Sequence, residues 1–486
     1  MLKEPTFSFI IPVYKKPPEV FEKCLKSLFD MSLKDIEVIC VFDGPDSELY
    51  DIAKRYDTQA IVIEHGGAPK ARNAGFKLAT GKYVVWWDAD CYAKPNMAAR
   101  WLQEFEAVPE ADFVYTGYEF AGERGGEDSE PFDAYSLTCG NFISTMSPIK
   151  REKAPVWDET LEAGQDWDFW WTAVEQGCKG AFIEGPGFIT DTIRTGLSSD
   201  HWRGDKREET IRRIREKHGV TNREIGVYSL NYRDRAIKLA KILGGDVIKK
   251  NGPDPAQYRV VINFGYSQIS RFEGFPESTV KVQYWIPTEI EALAEARYSV
   301  VMETIRIAKR VKNLCNTIYE KNKLADLGIN AEVVPLPISE DDISKAKTTL
   351  PEEFAVLVLA DESYGELLKE ISIDLPYIKF GFNVGKVSDY SCVLSFYRFA
   401  ALDEPVVVAC VNGRHVISNI QAPFCGFVDP DQTWDIFKKE LYEQIRLARG
   451  KPYNQAARDY YLDLVNPEKF RAYVNKLLTP TLEVVS

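Results

Sequence analysis

The chain has 486 residues, 45% hydrophobic and 27% charged, with a formal net charge of −13. That length accommodates about two to four domains of ordinary globular composition. The acidic balance works against broad, sequence-independent binding to nucleic acid, which rests on neutralising phosphates. No apolar run approaches the roughly 20 residues of a membrane helix. Nine cysteines are scattered without a C-x-x-C pair and four histidines are present, which indicates reduced thiols and argues against a disulfide framework or a zinc site. The first residues enter a strand without the layout of a signal peptide, so the expected location is cytoplasmic.

Phe7 to Tyr14 is an apolar run broken by a proline, hence a buried strand and a loop. A helix follows with Val20, Phe21, Cys24, Leu25 and Leu28 on one face. Ile36 to Phe42 is a second strand and ends in Asp43-Gly44-Pro45-Asp46, and Ala60 to Ile63 is a third. Lys70 to Leu78 reads as a helix, stopped by Gly81. The strand Val84-Val85-Trp86-Trp87 then runs into Asp88-Ala89-Asp90. Two carboxylates this close raise the cost of ionising both, and a hard divalent cation relieves it; an acidic turn after a strand is the plain alternative. The β-α-β-α-β rhythm predicts an α/β fold with a parallel sheet, in which ligands bind at the carboxyl ends of the strands. Tyr14, Asp43, Asp46, Asp88 and Asp90 all fall just beyond such ends.

Residues 5 to 220 resemble a family-2 glycosyltransferase of the nucleotide-diphospho-sugar (GT-A) fold. The likeness rests on an ordered set of short pieces: Ile11-Pro12-Val13-Tyr14, Phe42 to Asp46, Ala71-Arg72-Asn73-Ala74-Gly75, Asp88-Ala89-Asp90, Val156 to Glu159 and Gly164 to Asp168. The resemblance implies that Pro12 and Tyr14 line the nucleotide pocket and that Asp43 accepts a hydrogen bond from the base, with Asp46 nearby. It implies that Arg72 lies close to the nucleotide or diphosphate. Asp88 would approach the ribose or the metal, Ala89 would sit against the donor, and Asp90 would bind Mn²⁺ or Mg²⁺. A packed aromatic for Tyr14, a turn former for Asp43 and a surface helix residue for Arg72 are the plain alternatives.

The Pro95 to Phe105 segment reads as a helix and Phe113 to Phe120 as a strand, and Ala121 to Pro131 is a glycine-rich acidic loop, either near the acceptor or merely solvated. In the family a Glu-Asp pair opens a helix and its Asp is the general base. Here Gln165 stands in place of the Glu, and Asp166 is retained. A carboxylate at a helix N-terminus also serves as a cap. Asp168, two positions on, would point elsewhere. Trp167, Trp170 and Trp171 crowd this helix; core packing is the default for them, with Trp167 the first candidate to touch a sugar. Where the family often has an arginine one turn later, Thr172 stands. Where it often has a metal-binding histidine, Gly196 stands, and His201 is the substitute candidate. Lys206 to His218 reads as an amphipathic helix with Ile211 and Ile214 inward and Arg207, Arg212, Arg213 and Arg215 outward.

From residue 223 the rhythm restarts. Strands are expected at Ile225 to Leu230, Asp246 to Ile248, Val260 to Phe264, Val280 to Ile286 and Val311 to Asn313, with helices at Arg233 to Leu243 and Thr317 to Leu327. After the crossover Gly328 to Ile338, strands are expected at Ala355 to Leu359 and Val393 to Ser395 and a helix at Phe399 to Leu402. This half resembles a compact family-4-like glycosyltransferase (GT-B) with two Rossmann-like lobes, about 223–338 and 339–486, after a GT-A domain at 1–222. It departs from that family at Leu359-Ala360-Asp361-Glu362-Ser363-Tyr364-Gly365-Glu366, which is acidic where the family holds a diphosphate with a basic pair. The expectation is therefore a degenerate domain with a structural or acceptor-recognition role. The first half would be a metal-dependent inverting glycosyltransferase with Asp166 as base. Its donor would be a UDP- or GDP-sugar. Its acceptor is open among glycan, lipid-linked sugar, protein and modified nucleic acid. A non-catalytic nucleotide-sugar-binding scaffold, and a bifunctional enzyme with a second site in the C-terminal half, are the alternatives.

Overall fold

The computed structural model describes residues 4–121, 126–127, 129–190, 204–221, 223–229, 231–249, 252–360, 362–382, 386–396, 404–419, 422–429 and 432–478. The chain divides into two compact units, Met1–Asn222 with Ile248–Asp254, and Arg223–Val247 with Pro255–Ser486. Among the described residues no helix is long and apolar enough to cross a membrane, and the nine cysteines are free thiols.

The first unit is built on strands β1 (Phe7–Val13), β2 (Ile36–Asp43), β3 (Thr58–Ile63), β4 (Tyr83–Trp86), β5 (Cys91–Ala93), β6 (Phe113–Phe120), β7 (Gly126–Glu127), β8 (Ile149–Lys150) and β9 (Gly180–Thr190). They form one sheet in the order β3-β2-β1-β4-β8-β6-β9-β5, with β7 paired to β6. β1 to β4 are mutually parallel. In β1, β2 and β4 the apolar runs are continuous because both faces are covered: Phe7, Phe9 and Ile11 of β1 pack into one core and Ile10 into the other. Beyond β4 the parallel expectation fails. β8 runs antiparallel to β4 and β6, and β5 antiparallel to β9, while β6 and β9 are parallel. The reversing pieces are only two or three residues long, too short to show a period in sequence.

The helices of this unit are α1 (Pro18–Phe29), α2 (Ser47–Ala53), α3 (Ala68–Phe76), α4 (Met97–Ala107), α5 (Ala134–Cys139), α6 (Gln165–Glu175) and α7 (Gly204–Lys217). The stripe Val20, Phe21, Cys24, Leu25 and Leu28 is the buried face of α1, and proline opens its first turn. α6 starts after Gly164, whose φ of 66° lies in the left-handed region that suits glycine. α7 turns Ile211 and Ile214 inward, but Arg215 is buried too, at 5% exposure; the four-residue step from Ile211 puts it at the margin of the apolar face. Lys217, the last residue of α7, reaches Asp168 at 2.7 Å and Asp158 at 2.7 Å. His218 lies between Asp168 (3.1 Å) and Glu175 (2.8 Å) and stacks on Trp171 at 4.5 Å. This ionic cluster fastens α7 to α6.

The second unit contains two sheets. β10 (Ile225–Tyr228), β11 (Asp246–Val247), β12 (Val260–Phe264), β13 (Val280–Tyr284), β14 (Lys312–Cys315) and β15 (Glu332–Val333) pair in the order β11-β10-β12-β13-β14-β15. β16 (Ala355–Ala360), β17 (Lys379–Phe382), β18 (Cys392–Phe396), β19 (His415–Ser418) and β20 (Gly426–Phe427) pair in the order β17-β16-β18-β19-β20. Every pairing is parallel. In both sheets the second strand lies outside the first and the third on its other side, a doubly wound order. The helix expected at Phe399 to Leu402 lies outside the described residues.

Candidate active site

β4 ends at Trp86, and the chain is then held in place by its own hydrogen bonds. The Trp87 amide donates to the Ile10 carbonyl at 2.8 Å, and the buried indole N–H donates to the Cys91 carbonyl at 3.1 Å. The Cys91 amide donates back to the Asp88 carbonyl at 3.0 Å. This tight turn aims Asp88 and Asp90 past the strand end. A carboxylate oxygen of each and the Cys91 sulfur lie within 4.8 Å of one another. Burial raises the Asp88 pKa, Arg72 opposes the shift and the Asp90 charge adds to it, and the net direction is up. Lys16 pairs with Asp90. Burial works against its ammonium, but the charge and hydrogen bond of Asp90, with Asp88 behind, outweigh that and leave its pKa above the ordinary value.

The donor set suits a hard divalent ion. Two carboxylates are the right chemistry for Mg²⁺ or Mn²⁺. The Cys91 thiol is buried, and burial first, then the neighbouring carboxylates, hold its pKa well above the usual value; a soft sulfur is also a poor match for such a hard ion. His201 lies outside the described residues.

Arg72, on α3 and 6% exposed, ties this turn to the start of α6. One terminal nitrogen reaches Asp88 at 3.2 Å and the other donates to Gln165 at 3.3 Å. The guanidinium stacks 4.3 Å from the Trp157 ring, and among the described residues its buried Nε has no hydrogen-bond partner. Neighbouring Asn73 fixes Trp157 by its backbone, donating to its carbonyl and accepting from its amide, both at 2.9 Å. Thus three separated motifs converge on one guanidinium. Gln165, uncharged where a Glu was expected, accepts from Arg72 and donates to the Leu161 carbonyl at 2.8 Å.

Asp166 stands in the first turn of α6. One oxygen accepts from the Trp167 amide at 2.9 Å and the other from the Asn141 side chain at 2.8 Å. Burial raises its pKa, with the Trp167 amide, Arg72 and Asn141 pulling the other way; the net direction is up. Asp168, by contrast, is committed to Lys217 and His218. Trp167 is fully buried and donates its indole N–H to the Leu137 carbonyl at 2.7 Å, so it is packed as core and has no open face for a sugar.

A second group gathers at the ends of β1, β2 and β3. Tyr14 is 41% exposed and stacks on His65 at 4.4 Å with 12° between ring planes. The buried Asp43 receives the Gly66 amide (2.8 Å), the Gly67 amide (2.9 Å) and His65 Nδ1 (2.8 Å). Gly67, at φ 90°, lets the loop turn its amides inward. Asp46 caps α2 by accepting from the Leu49 amide at 3.1 Å. Pro12 is half-buried in β1, and Ala89 is buried between the two acids.

Sequence reasoning missed Lys16, His65 and Asn141. Lys16 and His65 also lie just past strand ends, so the rule that found Tyr14 and Asp43 would have found them. Asn141 sits after a six-residue helix that carries no amphipathic signal.

The sequence profile described as "Glycosyl transferase family 2" matches residues 8–154. The matched span lies wholly within the first unit, which is thus similar to glycosyltransferase family 2 over those residues. It is similar to the uncharacterized glycosyltransferase EpsJ of Bacillus subtilis, 37% identical over 119 residues, 24% of this chain and 34% of that protein. It is also similar to the uncharacterized glycosyltransferase MJ1057 of Methanocaldococcus jannaschii, 25% identical over 203 residues, 38% of this chain and 69% of that protein. It is similar as well to the poly(ribitol-phosphate) beta-glucosyltransferase of Bacillus spizizenii, 29% identical over 164 residues, 31% of this chain and 26% of that protein, so the chain spans between 26% and 69% of the length of these curated relatives. Among solved structures, S. aureus TarS 1-349 in complex with UDP-GlcNAc aligns with 16% identity over 63% of this chain and 84% of that one, at a TM-score of 0.38, too slight a likeness to argue from. Arg72 and the Asp88–Asp90 turn fall within the matched span, while Asp166 lies beyond it.

Proposed function

We propose that the first unit transfers a sugar from a nucleotide-diphospho-sugar, a UDP- or GDP-sugar, to an acceptor hydroxyl with inversion at the anomeric carbon. One observation carries this reading: a single guanidinium, Arg72, touches both Asp88 and Gln165, the neighbour of Asp166. A diphosphate end and a base are thereby brought to one site. Tyr14, stacked on His65, would line the nucleobase pocket beside Pro12, Asp43 and Asp46. Arg72 and Lys16 supply fixed positive charge toward the diphosphate. Asp88 and Asp90 would hold Mn²⁺ or Mg²⁺, which when bound offsets charge on the leaving nucleoside diphosphate. Asp166 takes the proton from the acceptor hydroxyl. Its two hydrogen bonds from Asn141 and the Trp167 amide fix the carboxylate plane and leave lone pairs for that proton.

The second unit, in this proposal, is GT-B-like and serves structure or acceptor recognition, with lobes at about 223–338 and 339–486. The shared doubly wound order of its two sheets supports the fold, and the acidic stretch from Asp361 to Glu366 speaks against a diphosphate grip there.

The test is Asp166→Asn. Turnover should fall by at least about a hundredfold, the low end for a lost general base, while the affinity for donor with Mn²⁺ holds. Retained turnover, or a product with retained anomeric configuration, refutes the proposal.

A further inference from the structure

Seven residues from the later part of the chain belong to the first unit. The chain leaves the second unit after Val247 and returns to it at Pro255, and Ile248–Asp254 between them counts with residues 1–222. We infer that this strap is a positioning element for Asp166, with Lys249 as its working residue, acting through Phe142 and Asn141. The inference rests on the reading of Asp166 as the base.

The contacts are specific. Lys249 pairs with Glu130 and its ammonium lies 4.1 Å above the Phe142 ring. Gly252 presses on α5: a Cβ added there would stand 2.5 Å from the Cys139 carbonyl oxygen. Arg207 of α7 donates to the Gly252 carbonyl, and Glu208 accepts the Asp254 amide at 3.2 Å. The strap is thus held from α7 on one side and closes on the 129–143 segment on the other.

That segment is where the base is held. Tyr115 donates to the Glu130 carbonyl at 2.6 Å, and Ser136 donates to the Glu130 carboxylate at 3.0 Å. Ser129 donates to the Phe142 carbonyl at 2.9 Å. The residue next to Phe142 is Asn141. Its side chain is locked by the Ile143 amide at 3.1 Å and donates to Asp166 at 2.8 Å. Lys249 therefore meets both ends of the loop, Glu130 by charge and Phe142 by its ring. A base must sit within a few tenths of an ångström of its productive place, and a displacement of about 1 Å costs about a hundredfold. A lysine that pins the residue adjoining the base's amide partner controls that displacement.

The experiment uses the full chain. The readout is nucleoside diphosphate release from whichever UDP- or GDP-sugar gives the largest thermal shift with Mn²⁺, with the affinity for that donor measured in parallel. Lys249→Met should lower kcat by about ten- to a hundredfold and leave donor affinity within twofold of wild type. Lys249→Arg, which keeps the charge on Glu130 and the face on Phe142, should restore most of the rate. Gly252→Val, which lifts the strap off Cys139 by a different route, should match Lys249→Met. Unchanged kcat in both Lys249→Met and Gly252→Val overturns the inference. So does a joint loss of kcat and donor affinity that Lys249→Arg fails to rescue, which would make the strap merely structural. Asp166→Asn separates the two proposals: if it keeps turnover, the base assignment has failed, whereas if it loses turnover and the strap variants do not, only the strap has failed.

Discussion

Replacing Asn73 with alanine should lower the thermal stability of the first unit. Asn73 is 8% exposed and makes three hydrogen bonds at 2.9 Å, to the Trp157 carbonyl, from the Trp157 amide and to Glu159. Glu159 is exposed and regains water, so that bond counts for little. Trp157 is buried, and alanine leaves both of its backbone groups without a side-chain partner. Each orphaned group costs about 1–3 kcal/mol, so a loss of about 3 kcal/mol is expected. For a unit of this size that lowers the midpoint of thermal unfolding by about 6–12 °C. Eight of the ten tryptophans precede residue 203, so intrinsic fluorescence follows this unit selectively. The loss should also reach the site, because the Trp157 ring is the shelf on which Arg72 lies. A midpoint shift below about 2 °C would refute the reasoning and mean that Trp157 finds other partners.

Two further outcomes follow from titrating groups. Burial opposes protonation of His218, but Asp168 and Glu175 outweigh it and raise its pKa above 6.5. Its contribution to stability is therefore complete below pH 6.5 and is lost as pH rises through the higher folded value; His218→Gln should abolish that slope in denaturation midpoints measured from pH 6 to 9. In the second unit, burial raises the Glu320 carboxyl from 4.5 to about 7. Folding there favours the protonated acid, so stability falls as pH climbs from 4.5 to about 7. Glu320→Gln should stabilise this unit at pH 8 by up to about 3 kcal/mol, and equal stability of variant and wild type there would contradict the assignment.

Much of the first half was legible because its physics is local. The α1 stripe shows in sequence as it is buried in the fold, and the runs Phe9–Ile11, Val38–Phe42 and Val84–Trp86 are continuous because both faces are covered. Polar residues just after such strands point to the ligand side almost by elimination, which is how Tyr14, Asp43, Asp88 and Asp90 came into view. β9 was not legible, although it has 11 residues. Gly180, Gly185, Pro186 and Gly187 interrupt its apolar pattern, yet they answer a tertiary demand. A Cβ on Gly187 would meet Thr116 Oγ1 at 2.4 Å, where β6 and β9 shift register. Trp167 illustrates the opposite limit. Its place in a motif suggested ligand contact, but an indole N–H satisfied by the Leu137 carbonyl is a long-range fact that no window of sequence contains. The partnership of Asn141 with Asp166, 25 positions apart, is of the same kind.

The strap also sets the order in which this molecule can be completed. A ribosome that has made residues 1–222 has supplied the whole sheet of the first unit, including both carboxylates of the Asp88–Asp90 turn. It has not yet supplied Lys249 or Gly252. Domains commonly fold as they emerge during synthesis, but here the loop beside Asp166 waits for a further stretch of translation before its clamp exists. For the same reason, cutting the chain at residue 222 yields a fragment that lacks a piece of its own unit.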